Sequence, residues 1–276
     1  MEKARFLISI FLMMVFITAL FWVFDFDQRA ARYFYMGGGQ WRGESSRYLA
    51  FFYFPMNAIL FSIPVYIGLV LLSFSFVKKP SFKAFHPYRI HGAFLVFMPL
   101  LGAGLFNSVI LKMFFARPRP IYYIEEGLFY YPFQIATQNW GGVDMSFPSG
   151  HVSMAAVFMV FYFVFEPSNH KIKRTMQVIL GVYVPIWASL SMIVSRSSFG
   201  DHFVSDGVFA VFFVYFLCYA VSKWLRLESR NRTIEKLDKV ERNKSDLAFM
   251  LAGLLIPVLL IIYFLIRFDG LRTFGA

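Results

Sequence analysis

Long apolar runs, separated by short polar or basic turns, set the layout of this 276-residue chain. Seven runs stand out, at roughly 6–24, 52–77, 92–115, 150–166, 176–194, 203–225 and 247–267. Crossing a bilayer core of ~30 Å takes ~20 helical residues. Within lipid, every backbone group must also find its hydrogen-bond partner inside the segment. The pattern therefore predicts an all-α, polytopic transmembrane helical bundle. The first run follows Lys3 and Arg5, as the core of a secretory leader would. It is long, however, and no small-residue cleavage site follows it, so a retained anchor helix is expected.

Composition agrees, with 58% hydrophobic, 21% aromatic and 16% charged residues. A net charge of +11 would suit a nucleic-acid partner, but the distribution of the charge argues against one. Lys78, Lys79, Lys83 and Arg89 share the turn 78–91 with no acid, and Lys171, Lys173 and Arg174 share the turn 167–175. Eight Lys or Arg and five acids occupy 223–246. In a seven-span layout these segments lie on one side, with Lys3 and Arg5. Positive loops stay in the cytoplasm, so the N-terminus is expected inside and 25–51, 116–149 and 195–202 outside. The basic balance reads as topology. The one cysteine, Cys218, falls in the sixth run and has no disulfide partner in the chain.

Three outward stretches carry chemistry. Lys112 and Arg119-Pro120 close the third run, which Pro118 and Pro120 prevent from continuing. Pro148-Ser149-Gly150-His151 opens the fourth run, with Ser149 a favoured N-cap. Gly150 permits close backbone approach, and amides at a helix start form an anion site. Ser195-Arg196, His202 and Asp206 surround the start of the sixth run. His202 and Asp206 are spaced i,i+4, which on a helix places them on one face. There the carboxylate would accept from Nδ1–H and leave Nε2 nucleophilic. Asp201 reads as a helix cap. Lys112, taken alone, reads equally as a lysine reaching for the membrane edge. His86, His91 and His170 fall on the cytoplasmic side and are assigned no role. The aromatic loop 121–147, with Tyr122, Tyr123, Phe129, Tyr130, Tyr131, Phe133 and Trp140, suits interface anchoring, with substrate gating as the alternative. Phosphoryl transfer rests on positioning and charge stabilisation, and three cations with two histidines and backbone amides supply both.

Lys112-x6-Arg119-Pro120, Pro148-Ser149-Gly150-His151 and Ser195-Arg196-x5-His202-x3-Asp206 together resemble the three-part signature of the phosphatidic acid phosphatase type 2 superfamily. The resemblance implies a six-span phosphatase core over 1–225. A charged cytoplasmic linker at 226–246 and an additional transmembrane helix within 247–276 would follow. It implies that His202 attacks phosphorus, oriented by Asp206, and that His151 protonates the leaving oxygen and then activates water. Lys112, Arg119, Arg196, Ser149 and Gly150 would hold the phosphate oxygens. No metal or cofactor is implied, and the partner is a phosphorylated membrane lipid; no pattern specifies an oligomeric state. Arg117-Pro118-Arg119-Pro120, Tyr131-Pro132-Phe133 and Ser146-Phe147 are similar to bacterial lipid A phosphatases. The expectation is thus a lipid A phosphatase of the bacterial inner membrane with a periplasmic site. An undecaprenyl pyrophosphate or phosphatidylglycerophosphate phosphatase, a lipid-to-lipid phosphotransferase, and a non-catalytic transporter or scaffold are the alternatives.

Overall fold

Helix follows each described apolar run in the computed structural model, which describes residues 2–142, 144–165 and 171–238. The seventh run, the part of the expected linker from residue 239 on and His170 lie outside the described residues. Glu2–Val23 (α1) stops before Asp25, whose backbone is left-handed at φ 50°. There the chain bends by 58° into Phe26–Phe34 (α2). The outward segment expected as a loop is thus built. After α2 come an antiparallel pair, Tyr35–Gly37 (β1) with Gln40–Trp41 (β2), and the short helix Arg47–Phe51 (α3).

Asn57–Ser75 (α4) holds the second run. The third is a helix spanning Phe82–Phe115, 34 residues, longer than its apolar stretch predicts. It comprises a tight helical turn at Pro80–Tyr88, Arg89–Phe97 (α5), a π-helical stretch Met98–Leu111, and Lys112–Phe115 (α6). Helix invades the basic turn because its bases alternate with Phe82, Ala84 and Phe85. Arg89 also donates to the Ser75 carbonyl at 2.9 Å and lies 4.2 Å from the Phe76 ring centroid, so it closes the end of α4.

Beyond lie Pro120–Glu126 (α7), Gly150–Ala156 (α8), Val160–Phe165 (α9) and Lys171–Val178 (α10). Val184–Ser198 (α11), Val204–Trp224 (α12) and Leu227–Asp238 (α13) complete the described chain. Four described helices are long and apolar enough to cross a membrane, and the bent pair at the N-terminus makes a fifth. The fourth run forms a shorter helix, Gly150–Phe165. The expected loop at 195–202 is corrected. Helix α11 continues to Ser198, so Ser195 and Arg196 occupy its last turn, where a cation complements the helix dipole.

The chain forms two compact units. The first comprises Met1–Tyr53, Leu101–Ala156 and Ile186–Leu217. Its core is aromatic: Phe21, Phe115, Phe147 and Phe209 are buried together. Phe115 meets Phe147 edge-on at 4.9 Å, and Phe133 meets Phe209 at 4.7 Å. Such pairs add to plain area burial. Phe115 ends α6, Phe147 precedes the Pro-Ser-Gly-His stretch and Phe209 lies on α12, so this cluster ties together the segments carrying all three motifs.

The second unit comprises Phe54–Leu100, Val157–Pro185 and Cys218–Ala276. Helices α4 and α5 pack closely within it. A Cβ on Gly68 would sit 2.7 Å from the Gly92 carbonyl oxygen, and one on Gly92 would sit 2.9 Å from that of Gly68. Small residues let helix backbones approach in this way in membranes. Buried His91 lies 2.6 Å from the Asn231 side-chain oxygen, and the Asn231 amide donates to the Phe163 carbonyl at 3.2 Å.

Candidate active site

All eight site residues named from the sequence belong to the first unit. Two loops there are stitched together before any catalytic side chain enters. Pro118 and Met145 form an isolated antiparallel bridge. The Ser146 amide donates to the Arg117 carbonyl at 2.7 Å, and the Ser146 hydroxyl donates to the Pro118 carbonyl at 3.0 Å. This fixes the approach to the Pro-Ser-Gly-His stretch. The Ser149 amide then donates to the Asp206 carbonyl at 3.0 Å, and Ser153 Oγ donates to the Ser149 carbonyl at 2.8 Å. Buried Asn107, on the π-helical stretch, donates to Ser153 Oγ at 2.7 Å. A Cβ on Gly150 would meet Ser108 Oγ at 2.7 Å, so the glycine also lets α8 lie close to the third span.

His202 is buried just before α12. Its Nδ1 lies 2.8 Å from the Ser146 carbonyl oxygen. A carbonyl can only accept, so Nδ1 carries the proton and Nε2 keeps its lone pair. Burial is the main cause holding the ring's pKa well below the usual histidine value, with the Lys112 charge next. The ring is therefore neutral near pH 7, as a nucleophile requires. His151 lies on the adjoining α8, the two ring centroids 6.4 Å apart.

The sequence-based expectation for Asp206 needs correction. Its Oδ2 is 3.6 Å from His202 Nδ1, beyond hydrogen-bond range, and accepts from the Phe203 amide at 2.7 Å. Its Oδ1 accepts from Arg117 at 2.7 Å. Helix α12 begins at Val204, so His202 is not on the helix and the i,i+4 facing does not apply. The Ser146 carbonyl orients the imidazole instead.

Asp201 is likewise more than a cap. Its Oδ1 accepts from Arg119 at 2.8 Å and its Oδ2 from Arg196 at 2.7 Å, so one carboxylate joins the two arginines. Burial pulls its pKa up, but the Tyr53 hydroxyl bonded to it, together with His202, Arg119 and Arg196, carries the balance below the usual carboxylate value. Arg196 is further held by the Tyr53 carbonyl at 3.2 Å and lies 3.8 Å from the Tyr53 ring centroid. The Nε atoms of Arg119 and Arg196 are buried without a hydrogen-bond partner. Asp144, partly exposed, is 3.6 Å from Arg119 Nε. The Lys112 side chain makes no hydrogen bond among the described residues, and Arg119, Asp206, Asp201 and Arg196 are the charges that act on it. The cations outnumber the carboxylates they touch, and unspent N–H donors remain, which suits a multiply charged anion.

The sequence profile of the PAP2 superfamily matches residues 92–230, which contain all three motifs. A lipid A 4′-phosphatase of Francisella tularensis subsp. novicida (strain U112) is 30% identical over 228 residues, covering 80% of this chain and 95% of that protein. The chain belongs to the PAP2 superfamily. No solved structure matches it significantly.

Within this PAP2 chain, three groups escaped the sequence reading: Asp201, Arg117 and Asp27. Asp201 carried a signal, being an acid adjacent to the candidate histidine and between two basic motifs. Arg117 stood in an Arg-Pro-Arg-Pro run, where its neighbour Arg119 matched the motif. Asp27 had no local signal at all. Arg117 is 1% exposed, and its guanidinium donates to Asp206, to Ser205 Oγ at 2.8 Å and to Asp27 at 2.9 Å.

Proposed function

We propose that this membrane phosphatase removes a phosphate from lipid A at the periplasmic face of a bacterial inner membrane, through a phosphohistidine on His202. The observation that carries the reading is the His202 ring, whose Nδ1 is committed to the Ser146 carbonyl at 2.8 Å and whose Nε2 is thereby left as the nucleophile. It shares a site with Lys112, Arg119 and Arg196.

In the first step Nε2 forms a bond to phosphorus as the bond from phosphorus to the lipid oxygen breaks. His151 gives that oxygen its proton. In the second, water attacks phosphorus with His151 taking its proton, the P–N bond breaks, and inorganic phosphate leaves. Lys112, the Arg119–Asp201–Arg196 arrangement, Ser149 and the Gly150 amide stabilise charge on the equatorial oxygens. A phosphate carried on acyl chains explains why this site stands at the ends of membrane helices. The substrate assignment is supported by the name of the Francisella relative. The periplasmic placement is supported by the Lys- and Arg-rich turns around 78–91 and 167–175, which lie on the other side of the span pattern from the motifs.

The purified protein should release inorganic phosphate from lipid A faster than from undecaprenyl pyrophosphate, phosphatidylglycerophosphate or phosphatidic acid, with no acceptor lipid present. Preference for another member of the panel would replace the substrate. Release that requires an acceptor would make the chain a phosphotransferase. Turnover should persist in EDTA, because the charge stabilisation is assigned to Lys112, Arg119 and Arg196; loss on chelation with recovery on adding a divalent ion would overturn that assignment. In spheroplasts a Gly141→Cys variant should react with an impermeant thiol reagent and a Lys79→Cys variant should not. The opposite pattern would place the site at the cytoplasmic leaflet.

A further inference from the structure

Behind His202 lies a buried ionic cluster in which Asp206 of the family signature meets Arg117 and Asp27, two residues outside that signature. Arg117 donates through one terminal nitrogen to Asp206 Oδ1 at 2.7 Å and through the other to Asp27 Oδ2 at 2.9 Å. Asp27 Oδ1 accepts the Ser205 amide at 2.9 Å, and its Oδ2 also accepts the Ser205 hydroxyl. Asp27, Arg117 and Asp206 are each no more than 1% exposed. Every contact made by the two carboxylates is with an N–H or O–H donor, so both fit as ionised, and arginine does not give up its proton. Two carboxylates and one guanidinium leave one net negative charge in a dry setting, where it acts strongly on neighbours.

The position of that charge is the informative point. Asp206 Oδ2 lies 3.6 Å from His202 Nδ1, close enough to act on the ring as a charge without forming the hydrogen bond. The main chain of Arg117 adds a second link, since its carbonyl accepts from the Ser146 amide and the Ser146 carbonyl faces Nδ1. Arg117 therefore governs both groups behind the imidazole. Asp27 comes from α2, outside the residues matched by the family profile, and satisfies an amide in the first turn of α12 that has no partner within that helix.

We propose that Asp27 and Arg117 are positioning residues. The relay Asp27–Arg117–Asp206 fixes the His202 ring and places one net negative charge behind it, matched to the positive charge the ring acquires on attacking phosphorus. Asp27 is essential to that balance: without it Arg117 cancels Asp206, and the ring loses its counter-charge. The inference rests on the phosphohistidine reading.

The test is rapid-quench kinetics of the full-length protein in mixed micelles with lipid A labelled in its phosphate. Asp27→Asn should lower kcat and the rate of phosphoenzyme formation about 10- to 100-fold, with KM and folded fraction near wild type. Asp27→Glu, which keeps the charge at the cost of a worse fit, should recover most of the loss. A packing role predicts the reverse order, because Asn matches Asp in size. Wild-type kcat in folded Asp27→Asn, or a Glu variant slower than the Asn variant, overturns the relay. Should Asp27→Asn fail to fold, Ser205→Ala removes the hydroxyl shared by Asp27 and Arg117. A lowered kcat at constant KM then supports the relay, and an unchanged kcat overturns it. If the wild-type enzyme forms no acid-labile phosphoenzyme, the phosphohistidine reading has failed; if it does and Asp27→Asn forms it equally fast, the relay alone has failed.

Discussion

The two units of this chain solve different problems with much the same residues. In the second, the buried ionisable groups among the described residues are His91 and the thiol of Cys218, and the rest of its interior is apolar or hydroxyl-bearing. Packing there depends on close backbone approach, as at Gly68 and Gly92. In the first, Asp27, Arg117, Arg196, His202 and Asp206 are all buried. Charge at membrane depth is costly and persists where it is paired or put to use. Each of these carboxylates accordingly meets a guanidinium, and the histidine is held neutral by burial and by the cations near it. The unit with the strained electrostatics is the one that carries the family motifs. The other is what an apolar sequence builds when membrane residence is its main constraint.

That contrast breaks most readily at His202. His202→Ala should lower phosphate release by at least about a thousandfold while leaving a folded protein in detergent; measurable turnover near wild type would strip the first unit of its catalytic role. A smaller effect is expected at Asp201. Asp201→Asn removes the charge that joins Arg119 to Arg196, and kcat/KM should fall about 10- to 100-fold, mainly through a raised KM. An unchanged KM would mean that the two arginines find their places without it. The smallest catalytic effect should come from the second unit. His91→Leu removes the buried 2.6 Å contact with the Asn231 oxygen and should cost about 1–3 kcal/mol of stability, seen as a lower unfolding temperature, with kcat/KM of the folded enzyme within about twofold of wild type. A large loss of turnover there would show that the two units are coupled in function.

The sequence by itself determined the all-α membrane architecture, because a run of apolar residues long enough to span a bilayer leaves the backbone little choice but helix. It also picked out the candidate site, since Lys112, Arg119, Ser149, Gly150, His151, Arg196, His202 and Asp206 stand at fixed spacing within short segments. Span ends were less legible. Helix began within the basic turn, at Pro80, where bases alternate with Phe82, Ala84 and Phe85, and α11 ran on through Ser195-Arg196. Tertiary structure alone decided which groups the charges meet. Arg117 reaches Asp27 across 90 residues of chain, Ser205 reaches Asp27 across 178, and the carbonyl at His202 Nδ1 belongs to Ser146, 56 residues away. Helical periodicity relates neighbours three and four residues apart on a continuous helix, and it paired His202 with Asp206 on a helix that starts after His202. Ionic pairing follows distance in the folded chain, and no local pattern in the sequence encodes that distance.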